Sequence, residues 1–393
     1  MGGNRCASRT VLGVSGGLVV IETHPVQYHA PVYRAVQAEH DIPVTAIYAS
    51  DFSVKGYRDA EFGATFAWDT DLLSGYTAQF LSRVDNGGAR NVDEVSARGL
   101  AAAVASARPR AVMVLGYSPA FNRAAAIVAL RSGVPVLFRG ETTDRDRRRN
   151  PAASLARDLA LRAFYSRCAR LLFVGARSRD HFDRLGVPAE KLVFSPYCVD
   201  NPADAPDQDV RAELGIPRDA FVLLYSGKLS ARKGVDLLIP ALRGAGNVTL
   251  LLVGDGERRD AICAETKRGP AVDVRAVGFK NQGELGAYFQ AADALVLPSI
   301  RGETWGLVVN EAMHHGLPCV VSDAVGCQSD LVIPAVSGEV CEAGSVESLA
   351  AAIVRVRELA GRPGTADRCR RQVEPYSVQA AAAGIAKAYS EVT

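Results

Sequence analysis

Short apolar runs alternate with helix-length segments along almost the whole chain of 393 residues. Typical runs are LVVIE at residues 18–22, AVMVLGY at 111–117 and VTLLLVG at 248–254. Strands that are joined through helices pair in parallel, because the crossover returns the chain to the same end of the sheet. The sequence therefore predicts an α/β protein built from doubly wound parallel sheets.

A polar segment, NPADAPDQD, separates two blocks of this alternation; it begins at Asn201 and holds two prolines. Such a composition is typical of a linker between domains. We predict an N-terminal Rossmann-like domain over residues 1–200, a linker over 201–218 and a C-terminal Rossmann-like domain over 219–376. An alanine-rich helix is predicted for the remaining segment, 377–393.

The amino-acid composition argues against nucleic-acid-binding, disulfide-rich and membrane-spanning proteins. The 45 lysine and arginine residues nearly balance 43 aspartate and glutamate residues, so we expect no nucleic-acid partner. Eight scattered cysteines without a CxxC pair suggest reduced, buried thiols rather than a zinc site or disulfides. The first sixteen residues lack a long apolar core, and no apolar run approaches the roughly 20 residues of a membrane span. We therefore expect a soluble, cytoplasmic protein.

The stretch from Ala294 to Gly326 carries two carboxylates in a strand–loop–helix–strand unit. Its first apolar run ends at Pro298, and a second run follows at residues 319–321. Glu303 is then predicted to lie in the loop at the carboxyl end of the first strand, where open α/β sheets bind their ligands. Glu311 follows eight positions later, on the predicted helix.

Other strands of the second domain also end in glycine-containing loops. In GKLSARKG, Lys228 and Lys233 lie between two glycines, of which Gly227 is the first. Glycines let the backbone approach a ligand, and two ammonium groups suit a diphosphate, although a solvated turn would explain this motif alone. The Glu303 loop adds the N-terminus of a helix that begins near Trp305, with free N–H groups. Together the loops predict a site for a nucleotide diphosphate joined to a sugar, because carboxylates accept from hydroxyls while cations face phosphate. The remaining loops contain Gly254, Gly256, Gly278 and Phe279.

In their order and spacing, GKLSARKG, VGDG, VGF and E-x7-E resemble the donor-binding half of a GT-B glycosyltransferase of family 4, the retaining kind. The resemblance covers nearly all of the second domain. It implies two Rossmann-like domains that face each other across a cleft, with the last helix crossing back to the N-terminal domain. It also implies that Lys228 and Lys233 bind the diphosphate, Glu311 the ribose hydroxyls and Glu303 the sugar hydroxyls near the anomeric carbon. Family members more often carry arginine at position 228, and lysine keeps the charge without the bidentate fork. Backbone N–H groups of Trp305, Gly306 and Leu307 would face sugar and phosphate, and the chain around Gly278 and Phe279 would face the base.

The resemblance implies transfer with retention of configuration, in which the acceptor attacks an oxocarbenium-like sugar from the face that the diphosphate leaves. Lys228 and Lys233 would stabilise the charge that develops on the departing phosphate. Because the lysines supply this positive charge, we expect no divalent metal and no other cofactor. The DTD sequence from Asp69 to Asp71 is similar to the metal motif of the other glycosyltransferase fold, but it lies in the wrong half of the chain.

The N-terminal half is expected to bind the acceptor. Its first strand is followed by ETHPVQY, where family 4 often has a glycine pair. We expect His24 to orient or deprotonate the nucleophile and Gln27 and Tyr28 to contact the acceptor; the alternative is that they only fix the loop. Tyr117 and Glu141 are expected to reach the same cleft. Three other histidines, His181, His314 and His315, are expected to be structural.

Two segments of the N-terminal half allow more than one interpretation. Residues 51–91 have no clear periodicity, and long irregular segments are often functional; a helix is predicted after them, over 92–107. The arginine-rich loop at 145–149 precedes a basic, amphipathic helix at 151–170. In related enzymes such helices contact membranes, but an ordinary exposed helix face is the interpretation that we favour.

Two rival functions share the predicted fold. A nucleotide-sugar 2-epimerase is one, and E-x7-E after the lysine motif argues against it. A non-catalytic nucleotide-sugar binding module is the other, and the presence of Lys233, Glu303 and Glu311 argues against it. The sequence leaves open the base (UDP or GDP), the sugar, the oligomeric state and the acceptor, which could be a polysaccharide, a lipid-linked sugar or a secondary metabolite.

Overall fold

A computed structural model describes residues 16–58, 65–144, 150–200, 208–243, 245–268 and 272–393 of the chain. The arginine-rich loop at 145–149 and the first part of the predicted linker, 201–207, lie outside the described residues. Two parallel β-sheets of seven and six strands dominate the described residues, together with a two-stranded antiparallel ribbon. The predicted doubly wound α/β fold is confirmed.

The N-terminal half forms the seven-stranded sheet. Its elements are β1 (Leu18–Glu22), α1 (Ala30–His40), β2 (Val44–Tyr48), α2 (Phe52–Lys55), β3 (Tyr57–Arg58), β4 (Thr65–Phe66), β5 (Thr77–Phe80), α3 (Leu100–Ala107), β6 (Ala111–Leu115), α4 (Ala120–Arg131), β7 (Val136–Gly140), α5 (Pro151–Arg167), β8 (Arg170–Phe173), α6 (Ala176–Arg184) and β9 (Leu192–Phe194). The strand order is β5-β2-β1-β6-β7-β8-β9, with parallel pairing throughout, while β3 and β4 form the ribbon. The chain winds outward from β1 to β5 and then returns to β6 beside β1. The boundary between β1 and β6 is therefore the topological switch point of this sheet.

The C-terminal half forms the six-stranded sheet. Its elements are α7 (Val210–Glu213), β10 (Phe221–Ser226), α8 (Leu238–Leu242), β11 (Val248–Val253), α9 (Arg259–Glu265), β12 (Asp273–Gly278), α10 (Gln282–Ala291), β13 (Ala294–Leu297), α11 (Leu307–His314), β14 (Cys319–Ser322), α12 (Gln328–Leu331), β15 (Gly338–Cys341), α13 (Val346–Ala360), α14 (Thr365–Val373) and α15 (Val378–Ser390). The strand order is β12-β11-β10-β13-β14-β15, again all parallel. The switch point lies between β10 and β13, so the loops after these strands open toward one crevice.

Helix α15 leaves the C-terminal half and completes the core of the N-terminal half. Its apolar face, which includes Ala381 and Ile385, is buried with residues of α1 and β1 in one core cluster. Gly384 lies so close to β9 that a Cβ atom there would stand 2.1 Å from the Phe194 carbonyl oxygen. The predicted return of the last helix to the N-terminal domain is confirmed. A separate core cluster fills the C-terminal half.

The structure differs from the predicted elements in several places, among them β5, α3 and α14. The segment predicted to be irregular contains β5, an edge strand whose residues are mostly half-exposed and so give no apolar run. Helix α3 begins at Leu100 instead of residue 92, because Gly99 before it adopts a left-handed φ of 82°. Helix α14 was not predicted, since few of its residues are apolar; Cys369 and Val373 are among those it buries.

Candidate active site

A cleft of about 450 Å³ lies between the carboxyl ends of the two sheets. This volume falls within the range of small-molecule sites, roughly 300–1,000 Å³. Both halves of the chain contribute side chains to its lining. The predicted donor-site residues that line it are Gly227, Lys228, Lys233, Gly254, Phe279, Glu303, Trp305, Gly306, Leu307 and Glu311. The predicted acceptor-site residues that line it are Gln27, Tyr28 and Glu141.

Three strand-end loops on the C-terminal side pack backbone against backbone. The Gly227 N–H donates to the Val253 carbonyl oxygen at 2.9 Å, and the Gly254 N–H donates to the Gly278 carbonyl oxygen at 2.8 Å. A Cβ atom on Gly254 would stand 1.9 Å from the Gly227 carbonyl oxygen, and its φ of 136° also requires glycine. The close packing brings Lys228 to the cleft. Gly256 and Gly278 support these loops but are not part of the lining.

Lys233 and Glu303 form an ion pair at the centre of the donor side. The Lys233 ammonium contacts Glu303 Oε2, and the two side chains are only 15% and 12% exposed. Ser299 donates a further hydrogen bond of 2.9 Å to the same oxygen. Gly234 fixes the loop after Lys233, because a Cβ atom there would stand 2.0 Å from the Pro298 carbonyl oxygen. The sequence motif thus holds one of its two lysines against the predicted sugar-binding carboxylate.

The N-terminus of α11 opens into the cleft. Gly306 precedes the helix with a φ of 101°, and the backbone N–H groups of Trp305, Gly306 and Leu307 donate no hydrogen bond within the described part of the chain. The Trp305 ring is buried, and its Nε1 donates to Asn310 Oδ1 at 2.8 Å. The tryptophan side chain therefore anchors the loop, while its backbone faces the cleft as an anion-binding position.

Glu311 lies on α11 and is 8% exposed. Its Oε1 accepts hydrogen bonds from Gln282 Nε2 at 2.9 Å and from the Tyr28 hydroxyl at 3.3 Å. Burial raises the pKa of this carboxyl to about 7, against the opposing effect of the two hydrogen bonds. Tyr28 belongs to the N-terminal half, so Glu311 is also a point of contact between the two domains.

Glu141 faces the donor side from the end of β7. Its Oε2 accepts from the Tyr197 hydroxyl at 2.7 Å and from the Thr304 hydroxyl at 3.2 Å. Tyr197 and Thr304 both line the cleft but were not among the predicted residues. Hydroxyl side chains carry no periodic signal, and here they come together only because β9 and the Glu303 loop meet across the cleft.

Two predicted acceptor residues lie away from the cleft. Tyr117 does not line it: its hydroxyl accepts from Arg157 at 2.8 Å, which turns the side chain toward α5. His24 packs its ring on Phe52 at 4.5 Å and bonds Thr23, which directs it to a smaller adjoining cavity. Burial lowers the pKa of His24 to about 4. Tyr117 therefore does not reach the cleft, and His24 lines the smaller cavity instead; their roles in acceptor binding stay predictions.

His29 is the histidine that lines the cleft, and the sequence analysis missed it. Its Nδ1 lies 2.5 Å from Glu22 Oε1, and its ring stacks on Tyr197 at 6.1 Å between centroids. Tyr33 donates to the same Glu22 oxygen at 2.8 Å. The sequence did contain a signal for this site: Glu22 is a polar residue at the end of the buried strand β1, and such a residue indicates a nearby polar partner.

Asp69 of the DTD sequence contacts the opposite domain. Its Oδ2 accepts from the Gly283 N–H at 3.0 Å, beside a hydrogen bond from the Asn281 amide to the Ala67 carbonyl oxygen. Asp71 instead accepts from Leu73 and Ser74 in its own turn. Among the residues that the structure describes, no group of three His, Cys, Asp or Glu side chains is arranged to hold a metal ion.

Two family models match the chain on either side of the predicted linker. Residues 206–374 match the family described as glycosyl transferases group 1, and residues 81–198 match a glycosyl transferase 4-like domain. Across these two ranges the chain matches glycosyltransferases of the GT-B, family 4 type. The motif-based resemblance is thereby confirmed.

Two of the curated proteins that are similar to this chain are named for a specific sugar-transfer reaction. Lipopolysaccharide 1,2-N-acetylglucosaminetransferase of Salmonella typhimurium is 27% identical over 40% of this chain and 44% of its own length. D-inositol 3-phosphate glycosyltransferase 1 of Catenulispora acidiphila is 32% identical over 44% of this chain and 41% of its own length. The matched region thus spans less than half the length of these relatives.

Among solved structures, HepE of Anabaena in complex with UDP superposes with a TM-score of 0.71 at 18% identity. The superposition covers 95% of this chain and 100% of that one, which shows that the two share the GT-B fold. None of the helices in the described ranges combines the length and the apolar character needed to cross a membrane.

Proposed function

We propose that this glycosyltransferase moves a sugar from a nucleotide-diphosphate sugar to an acceptor nucleophile with retention of the anomeric configuration. One observation carries the proposal: Lys233, Glu303 and the free N-terminus of α11 converge in a cleft whose opposite wall holds Glu141 and His29. Cations and N–H donors for phosphate lie on one side, and polar groups for an acceptor lie on the other.

The donor would lie along the C-terminal side of the cleft. Lys228, Lys233 and the N–H groups before α11 would bind the diphosphate, because these groups are donors with positive charge or positive dipole. Glu311 would accept from the ribose hydroxyls, and Glu303 from hydroxyls of the sugar. Lys233 neutralises the charge of Glu303, so the net charge of the pair is close to zero. The pair still offers a ligand one hydrogen-bond donor, the ammonium, and one acceptor, the carboxylate.

In the reaction, the bond between the anomeric carbon and the phosphate oxygen breaks, and its electron pair stays on the diphosphate. The acceptor oxygen or nitrogen then forms a bond to the same face of the sugar, and its proton passes to the departing phosphate oxygen. Positive groups that face this oxygen stabilise the transition state more than the ground state, since the charge grows there. Lys228 and Lys233 would supply this stabilisation, and we propose that no divalent metal is needed.

UDP is the nucleotide held by the related fold of HepE, so we propose a UDP-sugar as the first donor to test, with GDP-sugars second. The acceptor class is left to the experiment, which compares polysaccharide fragments, lipid-linked sugars and small hydroxylated metabolites. Release of nucleoside diphosphate from each donor is measured with each acceptor, in the presence of EDTA and again with added Mg²⁺. The anomeric configuration of the product is read by NMR.

Three results would contradict the proposal in different ways. An inverted product would exclude retention, and activity that EDTA abolishes would exclude metal independence. Interconversion of the donor sugar without net transfer would identify an epimerase. Tight nucleotide-sugar binding without any turnover or slow hydrolysis would identify a binding module.

A further inference from the structure

A second, smaller cavity of about 140 Å³ adjoins the cleft on the N-terminal side. It lies at the carboxyl ends of β1, β6, β7 and β8, and therefore at the switch point of the N-terminal sheet. Open α/β sheets place ligands at this position, because two neighbouring loops diverge there. His29, Glu141 and Tyr197 line both the cavity and the cleft, so a group in the cavity would be adjacent to the predicted transfer site.

Two residues that line the cavity each carry a buried hydrogen-bond acceptor that meets no donor among the described residues. Glu22 is 5% exposed; its Oε1 accepts from His29 and Tyr33, but its buried Oε2 meets no donor among the described residues. Asn122 donates from Nδ2 to the Leu115 and Ser118 carbonyl oxygens, which fixes the orientation of the amide. Its buried Oδ1 likewise meets no donor within the described part of the chain.

Buried acceptors without a partner are costly, about 1–3 kcal/mol each, and they mark positions where a ligand or water supplies the missing donor. A ligand for this cavity must therefore present O–H or N–H groups. The wall also carries the carboxylates of Glu22 and Glu141. Arg139, the guanidinium in this wall, donates to the Ser195 and Pro196 carbonyl oxygens. Two carboxylates against one guanidinium leave an excess of negative charge in the wall, and a phosphate or carboxylate group would also face acceptors without donors, so an anionic ligand is disfavoured.

The size of the cavity limits the ligand further. A cavity of about 150 Å³ can hold one benzene molecule. The present cavity thus has room for a single six-membered ring, with the rest of a larger molecule extending past His29 into the cleft.

We propose that this cavity binds a terminal ring of the acceptor, and that this ring bears hydroxyl or amino groups and no phosphate. The inference rests on the proposed function, because it names the acceptor class of the same enzyme. The donor-rich ring would satisfy Glu22 Oε2 and Asn122 Oδ1 and would place a neighbouring hydroxyl or amine near the anomeric carbon.

The test measures binding of three probes by ligand-observed NMR: glucose, glucosamine and glucose 6-phosphate, each with and without UDP or GDP. We expect glucose or glucosamine to bind and glucose 6-phosphate to bind at least about tenfold more weakly, because of the two carboxylates. Asn122→Leu removes one free acceptor and should weaken binding of the sugar about tenfold. Arg123→Leu is the matched control on the same helix, since Arg123 is exposed, and it should leave sugar binding unchanged.

A second variant keeps the test independent of folding defects in Asn122→Leu. In Glu22→Gln, the amide oxygen can continue to accept from His29 and Tyr33, so the amide nitrogen replaces the free Oε2 as a donor. A hydroxyl can accept from this nitrogen, whereas an ammonium cannot. Glucosamine binding should therefore fall more than glucose binding, and this difference identifies which of the two groups lies at Glu22.

Lys233→Ala separates this inference from the proposed function. It should weaken nucleotide binding about 100-fold and leave sugar binding intact. The proposal would be overturned if Lys233→Ala removed sugar binding while Asn122→Leu and Glu22→Gln left it intact. That result would place the ring on the donor side of the cleft. Failure of both unphosphorylated sugars to bind, or preference for glucose 6-phosphate, would also overturn it. Sugar binding to the cavity without any nucleotide binding would instead refute the proposed function alone.

Discussion

The Tyr28 hydroxyl donates a hydrogen bond of 3.3 Å to Glu311 Oε1 and so joins two residues that are 283 positions apart in the chain. The contact spans the cleft between the domains, and Glu311 is at the same time the residue expected to hold the ribose. Burial raises the pKa of Glu311 to about 7, so this interdomain contact, and the donor binding that we propose for Glu311, should change with pH near neutrality.

The stability of the folded chain should therefore depend on pH through Glu311. The folded-state pKa lies above the ordinary value of 4.5, so the associated stability is present below pH 4.5 and is lost as the pH rises through about 7. Glu311→Gln removes this loss, because an amide does not ionise. At about pH 8.5 the variant should be more stable than the wild type by on the order of 3 kcal/mol, with little difference near pH 4.5.

Chemical unfolding at both pH values measures this effect. Glu284→Gln serves as the opposite case, because a hydrogen bond from Lys280 lowers the pKa of Glu284. That variant should lose stability above the ordinary pKa of glutamate. A Glu311→Gln profile parallel to that of the wild type would show that Glu311 is not the titrating group.

Substitutions of the ion-paired residues Lys233 and Glu303 should affect different steps, donor binding for Lys233 and sugar transfer for Glu303. Lys233→Ala should weaken nucleoside-diphosphate binding about 100-fold, because a charge-assisted contact is lost. Glu303→Ala should reduce the transfer rate more than donor affinity. Lys233→Ala also leaves Glu303 unpaired and should cost about 2 kcal/mol of stability.

The double variant Lys233→Ala with Glu303→Gln separates these effects. It should recover stability in thermal unfolding, since no uncompensated charge remains, but it should not recover donor binding in calorimetric titration. Wild-type turnover by Lys233→Ala, Glu303→Ala and Glu311→Ala alike would refute the assigned site.

The two aspartates of the DTD sequence should have different effects. Asp69 accepts from the Gly283 N–H in the opposite domain, and Asp69→Ala should raise the donor KM about threefold to tenfold by weakening domain closure. Asp71 accepts within its own turn, and Asp71→Ala should cost about 1 kcal/mol of stability without changing KM. Steady-state kinetics and thermal unfolding of both variants provide the measurements. Equal effects of the two substitutions on KM would contradict this division.

The strand-end loops of the C-terminal half could be predicted because their chemistry is local in the sequence. Lys228, Lys233, Glu303 and Glu311 sit at fixed offsets from glycines and apolar strands, and the fold brings all four to one cleft. The N-terminal side could not be predicted in the same way. Whether His24 or His29 faces the cleft depends on how a loop of a few residues turns before α1.

The contacts between the domains could not be predicted from the periodicity of the sequence either. Tyr28 with Glu311 and Asp69 with Gly283 join residues more than 200 positions apart, and neither pair carries a pattern in the sequence. Segment 51–91 was predicted to be irregular, but it contains α2, β3, β4 and β5, and the edge strand β5 is too short and too exposed to be recognised from the sequence.

His29 and His24 should differ in their importance for transfer. His29→Gln should lower the transfer rate about 100-fold with little effect on nucleotide binding, as expected for a group that positions the acceptor without taking its proton. His24→Gln should change the rate much less. Because the pKa of His24 is about 4, this residue stays neutral above pH 5 and should not contribute to the pH profile there. A loss of rate confined to His24→Gln in pre-steady-state assays would reverse the assignment.

Gly175 should control how closely the domains dock. A Cβ atom there would lie 2.2 Å from the Trp305 ring and 2.9 Å from Asp330 Oδ1. Gly175→Ala should therefore cost about 1–3 kcal/mol and loosen the interface, which limited proteolysis and small-angle scattering can detect. Gly186→Ala is the control: a Cβ atom there would meet no non-neighbouring atom of the described residues within 4 Å, but the φ of 75° is unfavourable for alanine. It should cost about 1 kcal/mol without changing the interface.

The return of α15 to the N-terminal core has a consequence for the order of folding on the ribosome. The N-terminal sheet is synthesised before the C-terminal sheet, yet the buried face of α15 belongs to the N-terminal core and is synthesised after both sheets. The donor-side sheet can complete its own core before that helix emerges. The core of the N-terminal half can therefore be completed only after the C-terminal sheet has been made, and until then the apolar surface beside α1 that α15 covers is exposed to solvent.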